Sequence, residues 1–141
     1  MEELYELRSY IEQGRYTDAL VLLGEMEEMS RDDKINKIGS FLEILLLHLI
    51  KRHAEKRTTR SWDISIRNAV DEITFVNMRR KAGGYYLQID ELRRAIDERF
   101  QKALRVASLE CFGGVYDTDQ IAELIDEEQV KLEALRLLQA A

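Results

Sequence analysis

The side chains of this chain that can do chemistry are few: two histidines, one cysteine and a knot of basic groups in mid-chain. His48 and His53 stand five apart, which on a helix leaves the two rings about 140° apart around the axis. A zinc pair on one helix needs a spacing of four on one face, as in H-E-x-x-H, so this pair is not a metal motif. His48 lies inside the apolar run Ile44–Ile50 and is expected to be a hydrogen-bonded structural histidine. His53 is expected at the surface. Cys111 is the only cysteine. It can neither close an intramolecular disulfide nor supply a thiolate metal site by itself, and a reducing compartment, the cytoplasm, is the expected setting.

Other signatures of catalysis are missing from the sequence. There is no G-x-S-x-G, no G-x-G-x-x-G and no P-loop; Gly83-Gly84 and Gly113-Gly114 are isolated pairs. No histidine follows His53, so the R-x-x-x-x-H arrangement of helical prokaryotic ribonucleases is not available. Adjacent carboxylates such as Glu27-Glu28 and Glu127-Glu128 point about 100° apart on a helix and do not converge. The chain is therefore expected to carry no catalytic residues, no metal and no cofactor.

The basic groups form the one candidate surface. Residues 1–50 hold five basic and eleven acidic side chains, residues 51–81 nine and four, and residues 82–141 seven and twelve. The densest part is Lys51, Arg52, His53, Lys56, Arg57 and Arg60, just ahead of Ser61, with Arg67 two turns further on. Free N–H groups at a helix start favour anions, and arginines add charge-assisted hydrogen bonds. Lys51, Arg52, His53, Lys56, Arg57, Arg60, Ser61 and Arg67 are thus a candidate anion-binding or interaction surface. The competing expectation is a solvated turn, or cations paired internally with the acidic N-terminal helices. A pI near 5.1 lacks the overall basic character of a general nucleic-acid binder.

The elements that position these groups read as helices throughout, and the fold class is all-α: an antiparallel bundle of about five main helices plus short C-terminal ones, in a single domain over residues 1–141. An N-terminal hairpin is expected over 1–29, three long helices over 30–112 and C-terminal helices over 113–141. Proline is absent, so helices can run unbroken. Gly14 ends the first helix, and the spacing Gly14-x-Tyr16-x-x-Ala19 resembles half of a tetratricopeptide hairpin, of which a single copy makes no solenoid. Ser30 with Asp33 predicts an N-cap for a central helix. The stripe Ile35, Ile38, Leu42, Leu45, Leu49, widened by Phe41, Ile44, Leu46, Leu47 and Ile50, predicts that this helix is buried on most sides.

A polar connection is expected over Lys51–Arg60. Ser61 is expected to cap the next helix, whose inner face is Trp62, Ile66, Ala69, Val70 and Ile73 and whose stop is Gly83-Gly84. A long helix over Tyr86–Phe112 follows, with Ile89, Leu92, Ile96, Phe100 and Cys111 in its seam and Gly113-Gly114 as its stop. Asp117 with Gln120, and Asp126 with Gln129, mark two short helices. The acidic N-terminus MEELYELRSY lacks the apolar core of a signal peptide. The longest apolar run, Ile44–Ile50, is too short to span a bilayer, so no membrane association is expected.

The segment Ile44-Leu45-Leu46-Leu47-His48-Leu49-Ile50-Lys51, followed by Arg60-Ser61-Trp62 and then Ile66 and Ile73, resembles the signature of the domain of unknown function 29 family, short helical bacterial proteins abundant in cyanobacteria. Gly14-Arg15-Tyr16, Glu25-Met26-Glu27 and Ser30-Arg31 extend the likeness, which covers about residues 1–75. Two positions depart from it: Arg52 stands where the family often has an aromatic residue, and Thr58 where it tends to have an arginine. The resemblance implies an all-helical fold and, as signature residues, His48, Lys51, Arg60, Ser61 and Trp62. It implies no activity, because none is assigned to the family. The first functional expectation is a non-enzymatic protein-interaction or regulatory module whose partner is another protein or a second copy. An anion or nucleic-acid binder acting through residues 51–67 comes second, and an enzyme built on His48 or His53 third.

Overall fold

Six α-helices carry the fold of the described residues, 2–79 and 82–141, in the computed structural model: α1 Glu2–Glu12, α2 Tyr16–Glu55, α3 Arg60–Asn77, α4 Ile89–Glu110, α5 Thr118–Glu123 and α6 Glu127–Ala140. The described residues form no strand; Met78 and Tyr85 make one isolated antiparallel bridge. The all-α expectation holds. The chain divides into two compact units, one ending at Ile35 and one spanning Asn36–Ala141, with the division inside α2.

Helix ends follow local chemistry, and the expected ends were only partly right. Gly14, at φ +72°, ends α1 as anticipated. Ser30 does not cap a helix, because α2 passes through it without a break. Glu25–Asn36 contains no proline and no residue with positive φ, so capping-type side chains there lower helix propensity by only a few tenths of a kcal/mol each, about the ordinary spread among residue types. The basic segment is likewise helical up to Glu55, not a connection from Lys51 onward. Lys56, at φ +52°, turns the chain out of α2 without a glycine. The cap of α3 is Thr59 rather than Ser61: its extended backbone lets Oγ1 accept from the Trp62 N–H at 3.1 Å, and Ser61 sits in the first turn.

α3 stops at Asn77, six residues before Gly83-Gly84. The Asn77 side chain donates to the Leu87 carbonyl at 3.0 Å and accepts the Leu87 N–H at 2.8 Å, while its own carbonyl takes the Tyr86 N–H at 2.9 Å. A buried asparagine thus closes the loop as a strand partner would. The two glycines, at φ +76° and +75°, serve the turn inside that loop instead of ending the helix. This also delays α4 to Ile89, which is 40% exposed and not part of the seam. α4 ends at Glu110, short of the expected Phe112, and Gly113-Gly114 close the 3-10 turn Cys111–Gly114 that follows it. Phe112, Gly113 and Gly114 all have positive φ, and a Cβ on Gly114 would lie 2.9 Å from the Leu109 carbonyl oxygen. Asp117 and Asp126 cap α5 and α6 as predicted, accepting from the N–H of Gln120 at 2.8 Å and of Gln129 at 3.2 Å.

Within Asn36–Ala141 the contacts fix the helix directions. Glu43 meets Arg99, and Lys51 meets Glu110, so α2 and α4 run side by side in the same sense. Arg52 reaches Asp63 across the Lys56–Thr59 turn, and the Asn77–Leu87 clasp closes the next corner, so α3 is antiparallel to both. Lys131 pairs with Asp97, and Leu138 shares a cavity wall with Gln88 and Leu92, which sets α6 antiparallel to α4. Between these helices Ile38, Leu42, Leu45, Leu46, Leu49 and Ile50 of α2 are fully buried with Ile73, Ile96, Phe100, Ile121 and Val130. From Ile38 onward the predicted stripe of α2 is therefore the core stripe; Ile35, expected to begin it, is only half-buried, and Ile44 remains 40% exposed, so burial on every side is not reached. Gly39 is buried because the Arg99 guanidinium lies where its Cβ would be.

Candidate functional site

The basic groups of the candidate surface collect at one end of the second unit, where the end of α2, the start of α3, the end of α4 and one face of α6 meet. Helical spacing puts Lys51 and Glu55 one turn apart, and the short turn after Glu55 brings Trp62 back beside them. Lys51 is buried, its side chain 9% exposed. Its Nζ sits 2.6 Å from Glu110 Oε1 and 5.6 Å from the centre of the Trp62 ring. Arg57 covers the same ring at 4.7 Å and donates to Glu55 at 2.9 Å. Trp62 is thus half-buried between two cations, an arrangement that the negative face of an indole favours. It is not the fully buried core residue its helical position suggested.

The remaining basic groups divide into paired and unpaired. His53 Nε2 lies 2.6 Å from Glu133 of α6. Arg52 approaches Glu133 at 3.7 Å and Asp63 at 3.8 Å. Thr58 Oγ1 also donates to Asp63. Arg52 and Thr58 therefore converge on one carboxylate. Arg67 makes only an exposed pair with Asp71, one turn along α3, at 3.7 Å. Lys56 and Arg60 are exposed and make no ion pair among the described residues. Arg52, His53, Lys56, Arg57 and Thr58 line a shallow open depression.

The signature residues do not form one cluster. Lys51 and Trp62 are in contact, and Arg60 and Ser61 stand exposed on the turn leading to Trp62. His48 instead bonds its own helix: Nδ1 is 2.8 Å from the Ile44 carbonyl, and since a carbonyl only accepts, Nδ1 carries the proton. No contact joins His48 to Trp62 among those described. Cys111 is buried beside this end, and burial, with the negative charges of Glu55 and Glu110 outweighing Lys51, pushes its thiol up to about 11. It stays a protonated thiol at neutral pH. Among the described residues no three His, Cys, Asp or Glu side chains are grouped to hold a metal ion.

Sequence reasoning identified the cations and missed their partners. Glu110 and Glu133 lie 59 and 80 residues from the groups they pair with. Each sits on an amphipathic helix whose acidic residues look alike in sequence, so no local signal selects them. The internal-pairing alternative named the acidic N-terminal helices as the source of carboxylates; the partners come from α2 itself, α3, α4 and α6.

No helix among the described residues is long and apolar enough to cross a membrane. No curated protein and no solved structure matches the chain. One family model does, over residues 6–136, reaching well beyond the segment in which the signature residues lie. The chain belongs to the family described as domain of unknown function DUF29.

Proposed function

We propose that this protein is a non-enzymatic interaction module of the cytoplasm, and that its N-terminal helical pair is the surface that engages another protein. The observation that carries this reading is the state of residues 2–35. Ala19 is the one buried side chain among them, whereas eight large apolar side chains, Leu20 at 69% and Met29 at 60% among them, are exposed. Singly scattered apolar side chains need no explanation, but eight of them on two helical segments that bury only Ala19 fit an interaction site. The lone buried cysteine agrees with a reducing compartment.

The test is capture from a native lysate at physiological salt, with the whole chain as bait and mass spectrometry as readout. A specific, stoichiometric partner is expected; recovery of none overturns the reading. The alternative, anion or nucleic-acid binding through residues 51–67, is weakened by a specific observation. Lys51, Arg52, His53, Arg57 and Arg67 all have carboxylates of this chain beside them, which leaves Lys56 and Arg60 to hold a ligand. It predicts salt-sensitive binding of a phosphate-bearing probe that disappears in a Lys56→Glu, Arg60→Glu double variant.

A further inference from the structure

We infer that the exposed apolar stripe at the start of α2 takes a basic amphipathic helix of a partner protein. This rests on the interaction reading above and adds the partner's chemistry. Tyr16, Leu20 and Leu23 are spaced by four and three, so they fall on one side of α2, and all three are exposed. Leu4 and Ile11 of α1, seven apart, give that helix an exposed apolar line as well. Apolar anchors at such intervals are what a partner helix reads with its own i, i+3, i+4 and i+7 side chains.

Charge chooses the occupant. Residues 1–35 carry ten acidic and four basic side chains. Exposed Glu25, Glu27, Glu28, Asp32 and Asp33 crowd the turns that follow the Tyr16–Leu20–Leu23 stripe, and Glu27 continues the stripe itself. A second copy of this chain would set one such acidic unit against another, and like charges brought together at an interface oppose association. A helix with lysine or arginine beside its apolar stripe satisfies both features at once. Met26 and Met29, unbranched and adaptable, suit a surface that packs against an incoming helix.

The probe is a labelled 18-residue helical peptide of leucine and lysine in amphipathic order, titrated by fluorescence anisotropy into the full-length protein. A scrambled peptide of the same composition and a leucine–glutamate counterpart are the controls. Binding to the ordered basic peptide is expected to weaken at least tenfold in a Leu20→Ser, Leu23→Ser double variant, which keeps every charge. It is also expected to weaken as salt rises and to be absent for the acidic peptide. Because both leucines are exposed, the variant should keep its helical circular dichroism; a loss of helicity would itself contradict a solvent-facing stripe. Equal binding of the scrambled peptide, or binding unchanged in the double variant, overturns the inference. So does a wild-type dimer in analytical ultracentrifugation that the double variant converts to monomer, since the occupant is then a second copy. Repeating the lysate capture with both baits separates the two readings. A partner held equally by wild type and variant sinks this inference and leaves the interaction module standing; the absence of any partner sinks both.

Discussion

The segment up to Ile35 and the unit from Asn36 onward use the same helical periodicity and differ in what becomes of it. In the second unit the apolar stripes of α2, α3, α4 and α6 face one another, and their central residues lose all contact with water. In the first, α1 and the start of α2 carry stripes of similar quality that stay largely exposed. The second unit also holds polar pairs between residues distant in sequence, beside local ones such as Arg67–Asp71. The pairs Arg8–Glu12 and Arg15–Asp18 join residues three or four apart. Glu43–Arg99, Lys51–Glu110 and His53–Glu133 join residues 56 to 80 apart. An amphipathic helix supplies half of an interface. Two helices give each other little to bury, while four leave a space from which water is excluded.

The contrast is broken or sharpened first by paired truncations. Phe100→Ala removes a fully buried ring and should destabilise the fold by about 4 kcal/mol, whereas Leu20→Ala should stay within about 0.5 kcal/mol. Urea denaturation of both variants checks this, and a large loss for Leu20→Ala would mean that the stripe is covered within this chain.

Next in size is Asn77→Ala. It strands the buried Leu87 N–H and carbonyl, and should cost about 2–3 kcal/mol, with faster hydrogen exchange at Leu87. Gly114→Ala follows: with φ at +81° and the Leu109 carbonyl in the way, about 1–2 kcal/mol should be lost, whereas the unobstructed Gly24→Ala within α2 should gain about 0.5–1 kcal/mol.

The smallest effect is read by pH. Partial burial raises the Glu43 carboxyl, but hydrogen bonds and charge from Arg99 and Lys102 outweigh it and hold the group below its ordinary 4.5. A carboxylate lowered in the folded state contributes stability that is present above 4.5 and is lost as pH falls through its folded value. Glu43→Gln should therefore flatten the decline of the urea midpoint below pH 4.5, with little change in its slope near neutrality. An unaltered acid limb would mean that Arg99 and Lys102 do not single out Glu43.

Much of the fold was legible residue by residue, because its signals are local. The spacing of Ile38, Leu42, Leu45 and Leu49 is the core stripe of α2, and Asp117 and Asp126 cap the helices they were expected to cap. Where local signals compete, neighbours decide. Thr59 outranks Ser61 because Lys56 has already turned the chain, and Asn77 stops α3 before the glycines can because Leu87 is there to be bonded.

The sequence by itself determined the all-helical class, the helix that forms the core, the family and the concentration of cations in mid-chain. Each follows from periodicity, composition or motif, which need no knowledge of distant residues. Only the tertiary structure decided that Lys51 is buried against Trp62 and Glu110, that Glu133 meets His53, and that Lys56 and Arg60 are left over. Pairing of charges depends on which helices become neighbours, and that choice is made by shape and burial across the whole chain. The exposed stripe of the N-terminal pair has the same origin: sequence made it apolar, and its exposure comes from how few of its neighbours pack against it.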